Sequence, residues 1–111
     1  TVDVDKLGVS RDQIIKALEA EGVLGLMTGY ANIHLLPMYQ NKIAYGSNGF
    51  PWNLKEARQD VDYKKGICPV AETLHEKTFM GFQICLHELS GDDIGLIIKA
   101  FEKVWLNLEK L

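Results

Sequence analysis

From Ser90 to the C-terminus, apolar residues recur at helical spacing. Ile94, Ile97, Ile98, Phe101, Trp105 and Leu108 lie along one face, and Leu96, Ala100, Val104 and Leu111 along a second. The polar residues ahead of this stretch mark its start. The Ser90 hydroxyl suits the backbone N–H three residues on, and the Asp93 carboxylate suits the amide of Ser90, which is a capping box. Asp92 and Asp93 also sit where the helix dipole favours negative charge. A helix apolar on two sides predicts two neighbours: the chain's own sheet and, against Leu96, Ala100 and Val104, a surface outside this chain. The cap predicts a loss of about 1 kcal/mol for Ser90→Ala. A buried Trp105 predicts a loss of roughly 3 to 5 kcal/mol on truncation to alanine.

Residues 79–89 are rich in aromatic and branched side chains and carry no cap, so they read as a strand ending in a polar turn. Residues 1–5 alternate polar and apolar, the period of another strand. A second capping box, Ser10-Arg11-Asp12-Gln13, opens a helix with Ile14, Ile15, Ala17 and Leu18 inward and Lys16, Glu19 and Glu21 outward. Gly22 supplies the left-handed residue that ends it, and residues 23–27 read as a short apolar strand. The pattern then breaks. Ile33-His34-Leu35-Leu36-Pro37-Met38-Tyr39 predicts one turn or a short helix, and residues 40–65 an irregular loop with turn chemistry around Gly46-Ser47-Asn48-Gly49-Phe50-Pro51-Trp52. Cys68-Pro69-Val70-Ala71-Glu72 starts a further helix, with Pro69 at its first position. These elements predict an α/β (α+β) two-layer sandwich, one domain over residues 1–111, with helices on one face of a small, mostly antiparallel sheet.

Composition changes this picture little. A chain of 111 residues with 47% hydrophobic and 24% charged side chains is an ordinary globular domain. A net charge of −3 with no basic block gives no electrostatic footprint for nucleic acid or an anionic membrane. Cys68 and Cys85 lack metal-site spacing and read as buried free thiols of a cytoplasmic protein. The first residues, Thr-Val-Asp-Val-Asp without an initiator Met, read as a cut from something longer.

No nucleophile elbow, phosphate loop, dinucleotide fingerprint or zinc-protease motif is present. His87 reads as part of a polar turn and His75 as a helix-end residue. His34, beside Tyr30 and Tyr39, reads either as a partly buried structural histidine or as a site residue. Tyr45, Phe50, Trp52 and Tyr63 suit stacking on a sugar or base, or a latch onto a partner surface.

Four segments in order resemble the C-terminal domain of the DegT/StrS family of pyridoxal-phosphate-dependent sugar aminotransferases. They are Val9-Ser10-Arg11-Asp12 through Ala17-Leu18-Glu19-Ala20-Glu21-Gly22-Val23; the His34 segment from Ile33 to Tyr39; Cys68-Pro69-Val70-Ala71-Glu72-Thr73-Leu74; and Leu89-Ser90-Gly91-Asp92-Asp93-Ile94. Tyr30-Ala31-Asn32-Ile33-His34 departs from the family pattern in being one residue shorter and lacking its prolines, and Gln83-Ile84-Cys85-Leu86-His87 departs from it too. The resemblance implies a small domain of the aspartate-aminotransferase type, paired with a missing N-terminal domain that holds pyridoxal phosphate and its Schiff-base lysine. It implies homodimers that move an amino group to a nucleotide-linked keto sugar. It carries substrate contacts onto His34, Tyr30 and Tyr39, with no catalytic residue or cofactor held by this chain itself. A free-standing binding or interaction module that kept this fold is the alternative.

Overall fold

The computed structural model describes Thr1–Leu111, and its contacts gather in two compact units. Unit 1 comprises Thr1–Gly29 with Glu76–Leu111; unit 2 is Tyr30–His75. The secondary structure is mostly helical, with one small antiparallel sheet.

Unit 1 is organised by two capped helices. In α2, Arg11–Ala20, the Ser10 hydroxyl accepts the Gln13 amide at 3.2 Å and the Gln13 side chain accepts the Ser10 amide at 3.0 Å, as the spacing predicts. Its far end is closed by Gly22 at φ +90°: the Gly22 amide donates to Glu19 and the Val23 amide to Leu18, which folds Val23 back over the helix end. In α5, Gly91–Trp105, the Ser90 hydroxyl accepts the Asp93 amide at 3.2 Å, and Asp93 accepts the Ser90 amide at 2.9 Å. The Ser90 hydroxyl, and then its amide, hold the Asp93 carboxyl below the usual carboxylate range. Ser90→Ala is expected to cost about 1 kcal/mol in chemical denaturation, since the Asp93 amide loses its acceptor.

The core of unit 1 is Val2, Ile14, Leu18, Val23, Ala100 and Val104, where α2 meets α5. Here the expected roles of the two α5 stripes are corrected. Ala100 and Val104 face the chain's own core, whereas Ile94, Ile98 and Leu96 are 47%, 52% and 65% exposed. The burial condition on Trp105 also fails. Its ring is partly exposed and stacks on Phe101 at 5.9 Å, so the full-burial figure does not apply.

The strands are shorter than the pattern predicts. β1, Leu26–Met27, pairs antiparallel with β2, Gly81–Phe82, in the register Leu26 opposite Phe82 and Met27 opposite Gly81. A Cβ at Gly81 would sit 2.9 Å from Met27 Cγ, so the approach of the two strands there requires glycine. Beyond Phe82 a 3-10 turn over Ile84–Leu86 ends the pairing. Residues 1–5 form no strand: the Asp3 carboxylate accepts the Lys6 amide and caps a short helix, α1, Val4–Leu7. Local capping overrides the alternating pattern, leaving a single bond from the Val2 amide to Thr78.

Unit 2 fully buries no hydrophobic side chain; its buried residues are Asn32 and Glu72. A 3-10 turn, Ile33–Leu35, leads into α3, Pro37–Gln40, each a single turn as expected. α4, Pro69–Thr73, begins with Pro69 at its first position and continues into a wider turn, Leu74–Thr78. The segment between them has no helix and one isolated bridge, Tyr45 to Phe50. Side chains bonding backbone hold it: Asn53 Nδ2 donates to the Asn48 carbonyl at 2.8 Å, and Gln59 Nε2 to the carbonyls of Leu54 and Ala57.

Candidate functional site

The three residues singled out for substrate contact all fall in unit 2, in different settings. Tyr30 is 87% exposed. His34, by contrast, is drawn inward, with its Nε2 2.9 Å from Glu72 Oε1 and both side chains buried. A carboxylate only accepts, so Nε2 is the protonated ring nitrogen. Glu72 also accepts the Gly66 amide at 2.8 and 2.9 Å and the Cys68 amide at 3.3 Å. Burial pushes its carboxyl up, but the Gly66 amide, His34 and the Cys68 amide together outweigh this, and the net shift is downward.

Tyr39 belongs to an aromatic cluster. Its ring centroid is 6.1 Å from Trp52, edge on, and 5.2 Å from Tyr63, while Trp52 Nε1 donates to the Tyr63 hydroxyl at 3.0 Å. The Gln40 side-chain amide donates to the carbonyls of His34 at 2.7 Å and Tyr63 at 2.6 Å, which links the histidine turn to this cluster. His34 and Tyr39 are thus joined through Gln40 and Tyr63, and Tyr30 stands apart. Trp52 also lines an open cleft of about 350 Å³ with Asn41, Lys42, Asn53, Arg58 and Gln59. Arg58 makes a two-pronged contact with Asp60 at 2.6 and 3.0 Å, which occupies its guanidinium.

Glu72 is the residue that sequence reasoning missed. Its signal was present in the loop Gly66-Ile67-Cys68 ahead of Pro69, whose exposed amides need an acceptor, and in a carboxylate four residues past the helix cap. Arg11 was missed as well. It is buried in unit 1, with its Nε on Asp12 at 3.0 Å and Nη1 on the Phe79 carbonyl at 3.4 Å.

Unit 1 carries the largest cleft, about 440 Å³, lined among others by Leu24, Phe82, Ile84, Glu88, Asp93 and Leu96. His87, read as a turn residue, borders it. The lining contains no lysine to meet an aldehyde, and its two carboxylates repel a phosphate, so these residues do not fit pyridoxal phosphate. No group of three or more histidine, cysteine or acidic side chains is placed to hold a metal ion. Both cysteines are free thiols; Cys85 is exposed rather than buried, because the 3-10 turn lifts it off the sheet. No helix is long and apolar enough to cross a membrane. No protein-family model, curated protein or solved structure matches this chain.

Proposed function

We propose that this chain is the C-terminal small domain of a pyridoxal-phosphate-dependent aminotransferase of the DegT/StrS type, acting in the cytoplasm on a nucleotide-linked keto sugar. The observation that carries the reading is the order of the four resembling segments along the chain. Their local chemistry supports it. The first and last are the helix starts at Ser10 and Ser90, and the middle two are tied together by His34 and Glu72. These are residues that hold a scaffold, and no nucleophile, base or metal set accompanies them. Cofactor and Schiff-base lysine then belong to a large N-terminal domain, against which the helices and small sheet complete a two-layer arrangement. This chain supplies one wall of the substrate cleft.

The test is made on the complete gene product that contains this chain. Bound pyridoxal phosphate and amino transfer from glutamate to a nucleotide-linked keto sugar are expected; a product with neither overturns the reading. Within an active protein, Tyr30→Ala is expected to raise KM for the sugar nucleotide about tenfold without lowering stability, because the ring is exposed. An unchanged KM removes Tyr30 from the substrate wall. A second reading, an interaction module without a catalytic domain, is favoured by the uncovered Leu24, Leu96 and Leu106, 65–81% exposed.

A further inference from the structure

One face of α5 in unit 1 is apolar and uncovered. Leu96 is 65% exposed at its centre, and with Leu24, Phe82, Ile84, Leu89 and Ile97 it lines the 440 Å³ cleft. A second cleft of about 340 Å³ shares Gly22, Leu96 and Ile97 with the first and continues along the helix to Ala100. The charges at the two ends have opposite sign. Glu88 and Asp93 border the end at the N-terminus of α5. Lys99 and Lys103 border the other, where Lys103 also bridges Glu21 at 2.7 Å.

An apolar groove with one acidic and one basic end is its own complement when reversed. We propose that this face pairs with the same face of a second copy of this chain, α5 against α5 and antiparallel, about a two-fold axis near Leu96 and Ile97. Reversal sets the Glu88 and Asp93 end of each copy beside the Lys99 and Lys103 end of the other, and the two helix dipoles oppose. Asp93 and Lys103 stand ten residues apart, roughly 15 Å along the axis, so the charges flank an apolar centre as a polar rim flanks an interface core. A parallel pairing would stack like charges and is excluded by the same pattern. The inference does not rest on the aminotransferase reading, and its test measures association rather than activity.

Sedimentation of the chain over a range of micromolar concentrations is expected to show a dimer, and Leu96→Asp a monomer. Glu88→Lys and Lys99→Glu, both at exposed positions, are each expected to weaken the dimer about tenfold. Combined in one chain they restore opposite charges across the two-fold, and the dissociation constant returns to within about threefold of the starting value. A chain monomeric throughout overturns the proposal and leaves the face to a different protein surface. A dimer indifferent to both reversals, or one in which the two losses simply add, also overturns it.

Discussion

Leu18→Ala is expected to lower the stability of unit 1 by about 2–5 kcal/mol in chemical denaturation. Leu18 is fully enclosed, as is Ile14 one turn earlier, and both pack in the cluster that includes Ala100 and Val104 of α5. The Leu18 carbonyl also receives the Val23 amide at 3.0 Å, but alanine keeps that backbone bond. The loss therefore reports the side chain: its transfer from water and the cavity left between two helices already held by their caps. Leu18→Met keeps the volume and is expected to cost less than about 1.5 kcal/mol. The contrast between the two variants is the diagnostic. An alanine variant losing under about 1 kcal/mol would mean that α2 against α5 is not where this chain keeps its core.

That core was legible in the sequence to the extent that local chemistry decided it. Ser10 with Gln13 and Ser90 with Asp93 specify both helix starts within four residues each, and Gly22 specifies an end, because each bond closes between near neighbours. The face of α5 that turns inward was not legible. Its apolar residues cover most of the circumference, so periodicity allows two answers, and the position of Leu18 and Val23 chooses Ala100 and Val104. The strands failed for a different reason. Residues 1–5 and 79–89 have strand composition, but Asp3 finds a helix amide three residues ahead and Ile84–Leu86 closes a 3-10 turn. The site was legible by location alone: His34 and Tyr39 were named, while the carboxylate 38 positions from His34 that fixes the ring was not. A buried partner so distant in sequence leaves no spacing to read.

Glu72→Ala is expected to cost unit 2 more of its order than any other single truncation within that unit. No apolar side chain of unit 2 is fully buried, so polar bonds carry what a hydrophobic core carries in unit 1. Alanine strips the acceptor from His34 and from the amides of Gly66 and Cys68 together, and each is left to bury an unmet donor. The same carboxylate makes the unit sensitive to acid, with a definite sign. Its folded-state pKa lies below the ordinary value of 4.5, so the stabilisation is complete at pH above 4.5 and is lost as pH falls through the lower folded value. Hydrogen exchange at the Gly66 and Cys68 amides should therefore be slow at neutral pH and accelerate in acid. In Glu72→Gln those amides should exchange faster at pH 7, and the acid step should vanish, since no carboxyl remains to titrate. An acid step of unchanged size in the glutamine variant would assign the transition to another group and remove Glu72 as the centre of the unit.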